Sequence, residues 1–346
     1  MNDGVKLRSE LDGKDNSSED KSSYKKVDIG DMVYNSMRMW QGANGISNFE
    51  GIVSPAYTVL KAKTNINNNY FAKLFKNTRL INEFRKNSQG LTSDTWNLKY
   101  PQIAPIKIMI PNIEEQNKIA EFFSLIDQRI EKQRQLVESL KKYKRGLISN
   151  IFEQKIKLGN KGNWIEIKLS KILKERKTYC EKDGTYEHAT LSKDGVSAKT
   201  ERYERDFLVS DENKKYKITK FGDICYNPAN LKFGVICLNN YGDAIFSPIY
   251  ITFEIDENYN KEFIGYCLTR NDFINKALKY QQGTVYERMA VSPEDLLSME
   301  IIVPKKETQN KISALLNILE SKLDAESNKL TLLVKMKSSL LQQMFI

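Results

Sequence analysis

The chain has 346 residues, enough for two ordinary domains. Lys and Arg (54) outnumber Asp and Glu (44), a net charge of +10. That excess favours a polyanionic partner such as nucleic acid, although a Lys-rich surface that serves only solubility has the same signature. No apolar run approaches the ~20 residues of a membrane span, and the polar start is unlike a signal peptide. The four cysteines (Cys180, Cys225, Cys237, Cys267) lack close metal-ligand spacing and read as reduced core residues of a cytoplasmic protein.

Residues 1–23 are rich in Ser, Asp and Lys and read as a polar tail or loop. From Val27 to Val33 the apolar pattern predicts a strand around a Gly-Asp turn, and Ile52-Val53 and Tyr57–Leu60 predict strands on either side of Ser54-Pro55. Tyr70 to Phe84 has helical spacing, and Ile106–Ile110 reads as a short buried strand ending at Pro111. Beyond it, Ile119, Phe123, Ile126, Ile130, Val137, Leu140, Leu147 and Ile151 fall at heptad spacing, interrupted by Gln133 and Lys144. This predicts a long coiled-coil helix. Gly159–Gly162 reads as a linker. A second mixed unit follows, with strands expected at Ile165–Leu169, Ile224–Tyr226, Val235–Leu238, Ile249–Phe253 and Met299–Val303, and then a second long helix over 306–345.

The second half repeats the first. Pro111 and Glu115-Gln116-Asn117-Lys118-Ile119 return as Pro304 and Thr308-Gln309-Asn310-Lys311-Ile312, an offset of 193. Ser54-Pro55-Ala56-Tyr57 returns as Ser247-Pro248-Ile249-Tyr250, and Gln89-Gly90 as Gln282-Gly283, at the same offset. Tyr24–Asn35 returns as Tyr216–Asn227, one residue closer. The second seam is Ile312, Leu316, Leu319, Leu323, Leu330, Leu333, Leu340 and Met344, and its polar interruptions, Glu326 and Lys337, fall at the same places as Gln133 and Lys144. Two copies of one unit imply pseudo-two-fold symmetry, antiparallel helices and globular domains at their opposite ends. Gln133 and Glu326 then face each other near the middle of the pair. A hydrogen bond between them that fixes the register and two merely tolerated polar residues are both open readings.

The expected class is α+β: two mixed α/β domains separated by two long helices in an antiparallel coiled coil, with a pseudo-two-fold internal repeat. The expected segments are 1–110, 111–158, 159–303 and 304–346. At ~1.5 Å per residue, a helix from Glu114 to Phe152 spans roughly 58 Å, at most about 17 base pairs of duplex.

The repeated Pro, Gln and Lys-Ile block opening each helix, the helix ends Lys144-Arg145-Gly146-Leu147 and Lys337-Ser338-Ser339-Leu340 with Phe152 and Phe345 beyond, and the Gly-Asp strand with its Ser-Pro turn resemble the specificity subunits of type I restriction-modification enzymes. The resemblance covers roughly 24–346. It implies a subunit without a catalytic site, in which each recognition domain contacts one half of a split DNA target. The helices set the unread gap and dock two methyltransferase (modification) subunits, which bring S-adenosylmethionine; a motor-nuclease (restriction) subunit completes such enzymes. One departure concerns the first unit. The counterpart of Trp164 falls before residue 1, so the first recognition domain is expected to open part-way through its fold, short of about thirty residues.

Direct readout of bases needs Arg, Lys, Asn and Gln on loops, and most contacts of such loops grip phosphate instead. The candidates in the first unit are Arg38, Gln41, Asn44 and Gln89, with Trp40, Thr92 and Trp96 beside them. In the second they are Arg202, Lys214, Asn230, Lys232, Thr284, Tyr286 and Arg288, with Arg205 and Lys215 adding charge. Loop divergence without any selection for reading gives the same pattern. Arg129, Lys132, Arg134, Lys141, Lys142 and Arg145 make the first helix basic, as a solvated face, a platform for partners or a grip on the unread DNA. Catalytic chemistry finds little support. His188 is the only histidine, and Asn227-Pro228-Ala229 lacks most of an amino-methyltransferase motif and reads as a turn. Two rivals follow: a coiled-coil scaffold or adaptor whose end domains bind proteins, and a self-contained methyltransferase, which the absence of a glycine-rich cofactor loop disfavours.

Overall fold

The computed structural model describes residues 5–11, 17–93, 95–156, 164–181, 184–199, 215–282 and 289–345. The chain divides into two compact units, Met1–Lys141 with Leu323–Ile346 (unit 1) and Lys142–Lys322 (unit 2). Unit 1 holds a globular part with 113–141 of the first long helix and 323–344 of the second, and unit 2 a globular part with 142–152 of the first and 306–322 of the second. The compact units thus cut across the contiguous segments 1–110, 111–158, 159–303 and 304–346.

In unit 1 the elements run β1 (Lys25–Val27), β2 (Met32–Asn35), β3 (Asn44–Ile46), β4 (Gly51–Val53), β5 (Tyr57–Leu60), α1 (Asn68–Leu74), α2 (Thr78–Asn87), α3 (Tyr100–Ile103) and the start of α4 (Ile113–Phe152). β1 pairs antiparallel with β4, and β2 sits between β3 and β5 in a three-stranded antiparallel sheet. The turn between β1 and β2 needs Gly30, whose φ of 86° is costly for any side chain. The predicted helical stretch Tyr70–Phe84 is two helices. α1 ends at Phe75, and the Asn77 side chain accepts from the Arg79 amide at 2.9 Å, capping α2 anew.

Ile106–Ile110 is not a strand. Its repeat counterpart is one because it has a ladder partner in unit 2, described below, whereas no described residue pairs with 106–110.

Unit 2 contains β6 (Ile165–Lys168), β7 (Leu173–Glu175), β8 (Tyr179–Cys180), β9 (Glu187–Ser192), β10 (Gly195–Ala198), β11 (Tyr216–Thr219), β12 (Ile224–Tyr226), β13 (Ile236–Leu238), β14 (Ala244–Phe246), β15 (Ile251–Ile255), α5 (Lys261–Leu268), α6 (Asn271–Ala277), α7 (Pro293–Ser298), β16 (Glu300–Val303) and the start of α8 (Lys306–Met344). A five-stranded sheet has the order β10-β9-β14-β11-β8, and a four-stranded sheet the order β13-β12-β15-β7. β16 pairs with β6. β15 begins two residues later than the apolar pattern suggests, because Ser247–Tyr250 closes a turn through the Tyr250 amide and the Ser247 carbonyl at 3.1 Å. The predicted linker 159–162 lies outside the described residues.

α4 and α8 have 40 and 39 residues, roughly 60 and 58 Å of helix at 1.5 Å per residue. They run antiparallel. In unit 1, Asp127 of α4 meets Lys337 of α8, and Gln133 meets Glu326. In unit 2, Lys144 of α4 meets Glu320 of α8. The seam residues Phe123, Ile126, Ile130, Val137, Leu147 and Ile151 are buried, as are Ile312, Leu316, Leu319, Leu323 and Leu333. Met344 departs from the expected seam and is exposed, because Leu341 and Phe345 turn inward in its place. The architecture is α+β, with two mixed domains, two long antiparallel helices and an internal repeat.

Candidate nucleic-acid interface

The repeated block at the helix starts has a structural purpose in each unit. In unit 1, Gln116 Oε1 accepts from the Asn67 amide at 3.0 Å, Gln116 Nε2 donates to the Pro111 carbonyl at 2.9 Å, and Asn67 Nδ2 donates to Asn117 Oδ1 at 2.7 Å. In unit 2, Gln309 Oε1 accepts from the Asn260 amide at 2.9 Å, Gln309 Nε2 donates to the Pro304 carbonyl at 2.8 Å, and Asn260 Nδ2 donates to Asn310 Oδ1 at 3.0 Å. Both glutamines are buried, so each must have its amide satisfied. The same asparagines cap α1 and α5. One motif therefore ties the start of each long helix to the globular part that precedes it.

The far ends of the helices dock by a second repeated device. Phe345 lies edge-on to Tyr70 with ring centroids 5.3 Å apart, and stacks on Phe123 at 6.0 Å. In unit 2, Phe152 stacks on Phe263 at 5.4 Å, and the Arg270 guanidinium lies over the Phe152 ring at 4.2 Å. Phe152 and Phe345, like Tyr70 and Phe263, are related by the 193-residue offset.

These anchors fix the frame that carries the candidate reading loops. In unit 1 the loop after β2 forms a 3-10 turn, Met39–Gln41, closed by Gly42 at φ 76°. Its counterpart after β12 is the 3-10 turn Pro228–Phe233, closed by Gly234 at φ 78°. The second loop of each unit is pinned by a backbone bridge, Gln89 with Asn97 and Gln282 with Ala290.

On this frame Arg38, Gln41, Gln89 and Lys232 are exposed, and Asn230 is half-buried. Asn44 departs from the expectation of a surface reader. It is buried, and its Nδ2 donates to the Gly42 carbonyl at 3.1 Å, holding the turn from inside. Thr92 is exposed, and its amide donates to Thr95 Oγ1 at 3.1 Å. Arg202, Arg205, Lys214, Thr284, Tyr286 and Arg288 lie outside the described residues; Lys215 is exposed. On α4, Arg134 and Lys141 pair with Glu131 and Glu138 one turn earlier, so part of that helix's positive charge is offset locally.

Three features escaped the sequence reading. Trp40 and Trp96 meet edge to face at 5.3 Å and clasp the two candidate loops of unit 1 together. At their repeat positions unit 2 has Lys232 and Met289, so the candidate loops of the two units are held differently. Phe233 is 65% exposed beside Lys232, whose ammonium lies 5.0 Å above its ring. Beneath the unit 2 loops, buried Lys217 pairs with Glu175 at 2.7 Å, and Arg176 grips Asp223 through two nitrogens at 2.7 and 2.9 Å. The hydrogen bonds that Arg176 donates to Asp223 hold its guanidinium above its ordinary range despite burial. Long-range pairs of this kind leave no local spacing in a sequence.

Among the described residues no group of three His, Cys, Asp or Glu side chains converges as a metal site would require. Asn227 accepts from the Ala229 amide at 3.1 Å and so caps the 3-10 turn, as turn chemistry predicts. His188 packs edge-on to Tyr216 at 5.0 Å. Burial pushes the Cys225 and Cys267 thiols up, and Cys237 to about 11, so all three stay protonated near neutrality. Among the described residues no helix is long and apolar enough to cross a membrane.

Comparison with known proteins gives the frame a context. Residues 8–142 match the family model described as the type I restriction modification DNA specificity domain. No curated protein matches the chain. The fold is similar to that of the HsdS subunit from Thermoanaerobacter tengcongensis, at TM-score 0.51 and 14% identity over 94% of this chain and 83% of that one. It is also similar to the type I restriction-modification S subunit from M. genitalium, at TM-score 0.55 and 15% identity over 93% and 84%. A third match, at TM-score 0.56 and 14% identity over 94% and 84%, comes from a study of complex assembly and conformational transition of the type I R-M system.

Proposed function

We propose that the chain is the non-catalytic, DNA-reading subunit of a type I restriction-modification complex, a reading supported by the match of residues 8–142 to the type I restriction modification DNA specificity domain and by the likeness of the fold to type I specificity subunits. Each globular domain reads one half of a split double-stranded target. The paired helices set the unread gap and dock two methyltransferase subunits, which carry the S-adenosylmethionine; a motor-nuclease subunit joins the same assembly. The complex acts on cytoplasmic DNA.

The observation that carries this reading is the duplicated geometry of helix pairing. Asp127 with Lys337 and Glu320 with Lys144 are the same ion pair at two repeat-related places, and Gln133 with Glu326 is their midpoint. Gln133 Nε2 donates to the Glu326 carboxylate at 2.6 Å and to the Glu326 carbonyl at 3.0 Å, and its side chain is buried. A lone polar pair in an apolar seam favours the one alignment that satisfies it, which suits a spacer whose length must be fixed. We assign register control to this pair.

Arg38, Gln41 and Gln89 are proposed to face one half-site. Arg202, Lys214, Asn230, Lys232, Thr284, Tyr286 and Arg288 are proposed to face the other. Exposure and basic or amide chemistry support the described members of the set.

The test is to co-purify the chain with the products of neighbouring genes and map the bases the complex methylates. A split, adenine-methylated site is expected. A complex that binds only proteins, with no salt-dependent DNA affinity, favours the scaffold reading instead.

A further inference from the structure

The first candidate loop is one turn built twice with two different tips. In unit 1 it is the 3-10 turn Met39–Gln41, and in unit 2 the 3-10 turn Pro228–Phe233. Gly42 and Gly234 close them at φ 76° and 78°. Met39 and Leu231, equivalent in the repeat, are both 0% exposed and anchor the two turns. The same offset sets Gln41 against Phe233, and here the units part. Gln41 is an exposed amide, whereas Phe233 is an aromatic ring left 65% exposed.

The ring stands on a fixed support. Asn227 Oδ1 accepts from the Ala229 amide at 3.1 Å. The Gly234 amide donates to the Leu231 carbonyl at 2.8 Å, and the Asn227 amide to the Val235 carbonyl at 3.0 Å. At 3.3 Å, the Val291 amide donates to the Pro228 carbonyl and so ties the turn to the end of the second loop. A ring carried by a closed turn loses little further backbone entropy when it binds.

Its neighbours point to what the ring meets. Lys232 is exposed, and its ammonium lies 5.0 Å from the ring centroid, so a positive charge accompanies the apolar surface at the tip. That combination suits a polyanion better than an apolar protein face. In a 3-10 turn, residues three apart share a side, so Phe233 stands with Asn230. An asparagine amide pairs with adenine, but a phenyl ring has no hydrogen bond to offer a base. On the major-groove edges of B-DNA the apolar group is the 5-methyl of thymine.

We propose that Phe233 packs on the 5-methyl group of a thymine in the half-site faced by unit 2, at the place where unit 1 presents Gln41. The inference rests on the DNA-reading function proposed above. It adds a specificity-determining residue and the base group that this residue recognises.

The experiment uses the assembled complex and its mapped split target, in duplexes where each thymine is replaced in turn by uracil. Uracil differs from thymine only in lacking the 5-methyl group. At one thymine of one half-site, uracil is expected to weaken binding about fourfold, the effect of one buried methyl. Phe233→Ala is expected to bind the thymine and uracil duplexes alike at that position. Phe233→Leu, still apolar, keeps part of the preference, and uracil responses in the other half-site stay unchanged in both variants. The position is exposed, so both variants are expected to melt at the temperature of the parent, which separates lost discrimination from lost fold. The proposal is overturned if no uracil response depends on Phe233. Phe233→Ala that weakens thymine and uracil duplexes by one common factor would place the ring between bases, and Phe233→Ala without any effect would leave it in solvent. A complex with no split target and no salt-dependent DNA binding refutes the DNA-reading function itself, and this proposal with it; a normal target with either of the preceding results refutes this proposal alone.

Discussion

The two units share a frame and differ in how they fill it. In both, a glycine with φ near 85° turns the chain between two strands of different sheets, a buried glutamine ties the helix start to an asparagine, and a phenylalanine at the end of the opposite helix docks on an aromatic ring. Unit 2 adds two ion pairs beneath its sheet, Lys217 with Glu175 and Arg176 with Asp223. The residue equivalent to Lys217 in unit 1, Lys25, is exposed, and its ammonium donates to the backbone carbonyls of Pro55 and Tyr57. The acid of the first pair and the guanidinium of the second come from the strand and residue around 175–176, which have no equivalent among the described residues of unit 1. The repeated hydrogen-bond motif orients helix against domain in both units, while the buried charges are a local addition of unit 2 among the described residues.

Mutations can break this comparison, and the largest contrast is at the ion pair. Lys217→Met leaves Glu175 only the exposed Lys177 at 3.4 Å and is expected to destabilise unit 2 by up to about 3 kcal/mol, while Lys25→Met costs well under about 1 kcal/mol. Urea unfolding followed by a probe in each unit measures both, and equal losses would erase the distinction. Next come the shared anchors. Gln116→Ala and Gln309→Ala each leave buried backbone groups unpaired and are expected to cost about 1–3 kcal/mol, similar in the two units. A large difference between them would mean that the motif is not equivalent in the two copies.

The helix pair gives a smaller, pH-dependent effect. Burial works to raise the Asp127 pKa, but hydrogen bonds from Lys337 and Lys73 outweigh it and hold the carboxyl below its ordinary range. A depressed acid contributes stability above its unfolded pKa and loses it as pH falls through the folded value. Asp127→Asn is therefore expected to flatten the acid side of the stability profile below about pH 4, with thermal melts over a pH series as the readout. The smallest expected change is Lys141→Ala. Its partner Glu138 is exposed one turn away, and the cost should stay within about 0.5 kcal/mol.

Much of the frame was legible in the sequence because it is local or repeated. Heptad spacing located both long helices, and the copied interruptions placed Gln133 opposite Glu326. Three things were hidden. The single helix read across Tyr70–Phe84 breaks because Asn77 caps a new start, and a side chain that competes for backbone amides leaves no mark on apolar spacing. Ile106–Ile110 has strand chemistry, yet a strand exists only with a partner. Asn44 has the chemistry of an adenine reader, but the turn at Gly42 draws it inward. For the candidate interface the sequence indicated which loops to examine, and burial then separated Arg38, Gln41, Gln89 and Lys232 from Asn44. The Trp40–Trp96 clasp joins residues 56 apart in the chain, and no local pattern announces it.

The central claim is that helix length sets the distance between two separately read DNA words. Inserting seven residues at matched levels of both long helices keeps the heptad seam and lengthens the pair by about 10 Å, near three base pairs. The direct measurement is to map the bases methylated by the assembled complex before and after this insertion. The account predicts unchanged half-site words separated by a longer gap; an unchanged gap, or altered words, would contradict it.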